Sequence, residues 1–156
     1  MENNDILRRL RFTLSLDDDK MIALFGLGNL KVDRAAVSNW LKRDGDEYFI
    51  EMSDKELASF FNGLIVDKRG RQEGREPIAE ERLNNNLILK KLKIALSLTS
   101  DDIVEAFQLI DKRITTSEIG AFLRNPNHSK YREFNGQYLR NLLNGLQAKY
   151  VTKKDR

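Results

Sequence analysis

Apolar residues recur at helical spacing along this chain, and the pattern occurs twice. Ile6, Leu7, Leu10 and Leu14 fall on one face of a helix, and Ile88, Leu89, Leu92 and Leu96 repeat the spacing 82 positions later (85 minus 3). At that offset residues 3–68 align with residues 85–150 without a gap, and 17 of the 66 aligned positions are identical. The chain is an internal duplication whose copies diverged without changing length.

Each copy predicts four helices. The first carries the stripe just described, with Asn3 or Asn4 as N-cap in copy one. Phe12 and Ile94 point away from the stripe, so this helix has apolar surface on two sides. The second starts near Asp18 and carries Met21, Ile22, Leu24 and Phe25, matched by Ile103, Val104, Ala106 and Phe107. Asp17, Asp18 and Asp19 place carboxylates at the positive end of its dipole, and Thr99 with Asp102 has the spacing of a capping box. Capping accounts for both copies, whereas a metal site would explain only the three aspartates of the first. Gly28 and Asn29 mark the stop. The third helix follows Asp33 and Thr115, with Val37, Trp40 and Leu41 echoed by Ile119, Phe122 and Leu123.

The fourth helix opens with Ser53 and Glu56 in one copy and at Asn135 in the other, and both copies hold Asn-Gly-Leu within it, at 62–64 and 144–146. Gly inside a helix costs about 1 kcal/mol relative to Ala. Its retention predicts close backbone approach, so Gly63 and Gly145, with Phe12 and Ile94, are expected where the two copies meet; a turn at Asn-Gly, which would shorten this helix, is the competing reading. The expected fold is all-α, two tandem four-helix repeats packed about a pseudo-two-fold axis. Residues 1–68 form the first repeat and 85–150 the second; 69–84 are a charged linker ending in a short helix after Pro77, and 151–156 a basic tail. Repeats this small are expected to depend on each other for folding.

Composition narrows the chemistry. With no Cys and a single His, His128 in the loop NPNHS, the chain offers no disulfide framework, thiolate site or hydrolytic triad. Gly26 and Gly28 lie at a helix end rather than after a strand, which argues against a phosphate loop, and Asp44, Gly45 and Asp46 lack the remaining ligands of a calcium loop. No catalytic, cofactor-binding or metal-binding residue is therefore expected. No apolar run approaches the ~20 residues of a membrane span, and acidic residues and arginines interrupt the N-terminus, so a cytoplasmic protein without a membrane partner is expected. The net charge of +3 is uneven. Residues 3–68 hold 10 basic and 12 acidic residues (−2), residues 85–150 hold 10 and 6 (+4), and the tail adds +2. Long-range electrostatics direct a polyanion to the second copy.

Residues 30–43, LKVDRAAVSNWLKR, have the look of the second half of a helix-turn-helix, and Arg34, Ser38, Asn39, Lys42 and Arg43 are its candidate groove or phosphate contacts. Lys31 stands where the turn would favour Gly, and copy two presents Thr116, Ser117, Gly120, Ala121 and Arg124 on the matching surface. Arg8, Arg9 and Arg11, matched by Lys90, Lys91 and Lys93, form a second candidate phosphate ridge, and Lys68, Arg69, Arg71 and Arg75 a third basic cluster. The expected role is a non-enzymatic binding module for nucleic acid. The alternative is a protein-interaction or scaffold module that binds another protein or a second copy of itself.

The paired Asn-Asn starts, Leu-Ser-Leu at 14–16 and 96–98, and the Asn-Gly-Leu segments give the chain a resemblance to the YehS-like family of bacterial proteins, over nearly its whole length. That resemblance implies a duplicated helical domain in a compact bacterial cytoplasmic protein. The family's function is unknown, and it assigns no site residue.

Overall fold

Short polar side chains set the helix starts. A computed structural model describes residues 1–74 and 76–154, the side chains of 152–154 excepted. Among them the regular elements are all helices: α1 (Asn3–Thr13), α2 (Asp18–Leu27), α3 (Arg34–Leu41), α4 (Asp54–Arg69), α5 (Asn85–Ala95), α6 (Ser100–Gln108), α7 (Thr116–Phe122) and α8 (Gly136–Lys154). The protein is all-α and consists of two tandem four-helix repeats. They form two compact units, Met1–Leu83 and Asn84–Arg156.

The caps follow the sequence closely. Asp17 accepts from Lys20 N and Asp33 from Ala36 N, while Ser53–Glu56, Thr99–Asp102 and Thr115–Glu118 each close a reciprocal box. The first helix of each repeat departs from the expectation. Asn3 is already helical, and Asp5 Oδ2 accepts from Glu2 N; in the second repeat the cap is Asn84, whose side chain accepts from Leu87 N. Helix ends are also duplicated. Ser15 and Ser97 turn left-handed after α1 and α5 (φ 54° and 53°), as do Asn29 and Asp111 after α2 and α6 (φ 66° and 56°). The following N–H groups of Leu16, Leu98, Leu30 and Lys112 then reach back to otherwise open helix-end carbonyls.

Inside the first unit Phe25 stacks against Trp40 at 5.1 Å and against Phe60 at 5.5 Å, with Met21, Leu24, Leu57 and Leu64 buried around them. In the second, Phe122, Phe134 and Tyr138 form a cluster with centroids 4.9–5.6 Å apart, over Ile103, Phe107, Leu139 and Leu142. Each unit thus has its own aromatic-centred core.

The glycines correct one expectation. A Cβ on Gly63 would stand 1.7 Å from the Leu24 carbonyl oxygen, and one on Gly28 would stand 1.9 Å from that of Ser59. A Cβ on Gly145 would lie 2.5 Å from the Ala106 oxygen. The close approach therefore belongs to α2 against α4, and to α6 against α8, within each repeat rather than where the two copies meet. Phe12 and Ile94, predicted for the same meeting place, are 56% and 39% exposed.

The segment after α4 is not a free linker. Asn29 Nδ2 donates to Pro77 O at 3.1 Å, Lys55 pairs with Glu81 at 3.0 Å, and Asp54 accepts from both Leu83 N and Asn3 Nδ2. These contacts tie it to the first unit in an irregular path, and the short helix expected after Pro77 does not form. Residues 151–154, expected as a tail, continue α8. Arg75 of the linker cluster and the side chains of Lys153, Lys154 and Arg156 lie outside the described residues.

Candidate functional site

The second of the paired asparagines builds the same feature in both repeats. Asn4 is fully buried; its Nδ2 donates to Trp40 O (2.9 Å) and Ile50 O (2.8 Å), and its Oδ1 accepts from Met52 N (2.9 Å). Asn86 donates to Phe122 O (2.9 Å) and Arg132 O (2.8 Å) and accepts from Phe134 N (3.0 Å). One side chain thereby satisfies three main-chain groups and clasps the first helix of the repeat to the end of the third and to the irregular segment after it. The sequence offers Asn4 as a candidate cap and gives Asn86 no role of its own. Their presence at matching positions in both copies was the available signal.

Each repeat has a groove flanked by its first helix and the end of its third, and in the second repeat Asn86 itself lines it. In the first repeat it measures about 350 Å³ and is lined by Arg8, Arg11, Asp18, Ser38, Leu41 and Lys42. Of its three cations, Arg8 is engaged. Arg8 donates to Lys42 O at 2.6 Å and pairs with the carboxylate of Asp5, and Asp18 adds a negative charge to the wall.

A groove of the second repeat, which shares with the first only the positions Arg8/Lys90, Leu41/Leu123 and Lys42/Arg124, measures about 380 Å³, within the usual range of ~300–1,000 Å³ for ligand sites. Lys90 and Arg124 line it at the positions of Arg8 and Lys42, together with Leu87, Tyr131, Asn84 and Asn125, and no carboxylate is among its lining residues. Leu87 replaces Asp5, so Lys90 makes no ion pair among the described residues. Arg124 is exposed, with its NH1 3.3 Å from His128 Nε2, and the ring's Nδ1 accepts from Lys130 N at 3.0 Å. His128 is therefore an exposed loop residue: with Nδ1 accepting from the main chain its proton sits on Nε2, which lies beside the Arg124 guanidinium without accepting from it.

Two other basic side chains of this repeat, Arg132 and Lys149, have structural partners. Arg132 lies over the Phe122 ring at 5.4 Å and reaches Glu118 Oε2 at 3.4 Å. Burial works against ionisation of Glu118, but donation from Thr115 N and Oγ1 and from Tyr138 OH, with the charge of Arg132, holds its carboxyl below the usual glutamate range. Asp102 is likewise held low by the Thr99 N–H and hydroxyl, with help from Lys149 at 3.7 Å.

The helix-turn-helix-like residues do not form one free basic face. Arg34 is exposed but bonded to Asp19 and lies 3.4 Å from Asp18, and the hydrogen bond and charge of Asp19 raise its pKa. Ser38 and Lys42 are half-buried and open into the first-repeat groove. Asn39 is half-buried, with its carbonyl accepting from Ile50 N, and Arg43 is exposed at the turn that follows. Four aspartates, Asp17, Asp18, Asp19 and Asp33, surround the start of α2 and α3. The structure instead brings Lys90, Arg124 and Tyr131 together. The shared basic character of positions 8 and 90, and of 42 and 124, was visible in sequence, but their convergence on one groove was not.

Comparison with known proteins agrees with the duplication. The pattern of a family described as proteins of unknown function (DUF1456) matches residues 3–70 and 85–150. Over 155 residues the chain is 39% identical to the uncharacterized protein YehS of Escherichia coli (strain K12), covering 99% of each chain. No solved structure matches. The two matched segments are the two four-helix repeats, and the chain belongs to the DUF1456 family, whose pattern it carries twice.

Proposed function

We propose that the protein is a non-enzymatic nucleic-acid-binding module that meets its ligand through the second repeat. The observation that carries this reading is the groove at Lys90 and Arg124, which has two cations and no carboxylate among its lining residues, on a repeat whose charge is +4. Phosphate binding needs exposed cations that are not already neutralised, and this groove supplies them, whereas in the first repeat Arg8 is paired with Asp5, Arg34 with Asp18 and Asp19, and the carboxylate of Asp18 lines the groove itself. Fluorescence anisotropy against mixed-sequence duplex DNA and single-stranded RNA, at about 50 and then about 200 mM salt, tests it. Binding that weakens by roughly an order of magnitude or more over that range is expected, and Lys90→Glu should abolish most of it. No binding at the lower salt sinks the reading.

A second reading, a scaffold for another protein or a second copy, is favoured by one observation. Phe12 and Ile94 occupy matching positions in the repeats and are both exposed, and Leu109 is 51% exposed. Sedimentation of the wild type against Phe12→Ser, across protein concentration, tests self-association.

A further inference from the structure

We infer that the second-repeat groove takes one nucleotide of a single strand, with its phosphate held by Lys90 and Arg124 and its base against Tyr131. The inference rests on the nucleic-acid reading and specifies which form of nucleic acid the site accepts.

Three features carry it. The first is the separation of chemistry within the lining: cations at Lys90 and Arg124, apolar surface at Leu87, Pro126 and the half-buried Tyr131, and amides at Asn84 and Asn125. A phosphate requires only the cations. An apolar wall with an aromatic ring beside them suits a base, which every nucleotide presents and which a duplex keeps stacked inside. The second is concavity. A groove of about 380 Å³ admits a splayed-out nucleotide, whereas a duplex offers a smooth row of phosphates that would span its mouth. The third is the comparison between repeats. Where the first repeat has Asp5 clamped on Arg8, the second has Leu87 beside an unpaired Lys90, so one substitution both frees the cation and extends the apolar wall.

The duplication also supplies the variant. Leu87→Asp writes the first repeat's residue into the second, at the third position of α5, where the helix dipole favours an acid as it does for Asp5 in α1. The fold tolerates Asp at that place in its own other half.

The test uses the full-length protein and three labelled probes at about 50 mM salt: oligo(dT), the same length of duplex, and a strand of the same length with abasic sites in place of the bases. Oligo(dT) should bind roughly ten-fold more tightly than either the duplex or the abasic strand. Leu87→Asp should weaken oligo(dT) binding roughly ten-fold with little change in thermal melting, and Tyr131→Ala should erase the preference for bases while the salt dependence remains. Duplex or abasic strand bound as tightly as oligo(dT) overturns the inference and leaves the nucleic-acid reading standing. Full affinity in Leu87→Asp overturns it as well, and binding to none of the probes ends both. Should Tyr131→Ala fail to fold, the abasic comparison and Leu87→Asp still decide.

Discussion

The side-chain amide of Asn86 donates to the main-chain carbonyl of Phe122 at 2.9 Å, and through that bond the first helix of the second repeat fixes the end of the third. The same side chain also serves Arg132 O and Phe134 N. Asn86→Ala should leave these main-chain groups without partners in a largely buried setting and cost about 2–4 kcal/mol. Asn4→Ala should do the same to the first repeat, and Trp40, the single Trp of the sequence, reports that unit by fluorescence. Urea denaturation followed by Trp emission and by helical circular dichroism checks both.

Glycine substitutions should divide sharply by position. Gly63→Ala drives a methyl into the Leu24 carbonyl and should cost about 3 kcal/mol or more, since backbone rather than a flexible side chain must give way. Gly26, exposed in α2 with nothing within 4 Å of an added Cβ, should behave in the opposite way. Gly26→Ala should stabilise by about 0.5–1 kcal/mol. Thermal melting of the two variants beside the wild type measures the contrast.

Acid should weaken the second repeat through Glu118. Its folded-state pKa lies below the unfolded value, so its network contributes stability above the unfolded pKa of about 4.3 and loses it as pH falls through the folded pKa. The wild type should therefore lose more stability than Glu118→Gln on going from about pH 5 to about pH 3. Equal losses in the two proteins would show that the carboxylate's charge is not used.

Arg34→Ala should leave affinity for a single strand within roughly twofold of the wild type, because its guanidinium is already held by Asp18 and Asp19. Lys42→Ala should be similarly mild, and Arg124→Ala should be the costly one. Anisotropy titrations of the three variants separate a first-repeat interface from a second-repeat one.

The helices were legible because their signals are local. Asp17, Asp33, Ser53, Thr99 and Thr115 all cap as their spacing indicates, and Ile6, Leu7 and Leu10, with Ile88, Leu89 and Leu92, are buried as read, while Leu14 and Leu96 are half-buried just past the helix ends. Local spacing does not show what a side chain meets across the fold. Gly63 announced a close approach but not its partner, and Asn4 looked like a cap because a buried side-chain amide that ties three distant backbone groups has the same sequence appearance. Arg34 looked free because its partners, Asp18 and Asp19, were assigned wholly to the start of α2. Lys90, Arg124 and Tyr131 are separated by 34 and 7 residues, and contacts across the fold, the clasp at Asn86 and the Phe122–Phe134 pair among them, bring their segments to one groove.

That each repeat closes its own clasp has a bearing on how such a protein can change over generations. A gene that doubles a self-closing unit obtains a spare. A side chain on the first helix can drift, Asp5 in one unit and Leu87 in the other, while the three hydrogen bonds of each asparagine are untouched. Novelty is then confined to the lining, and inheritance of shape is left to two asparagines.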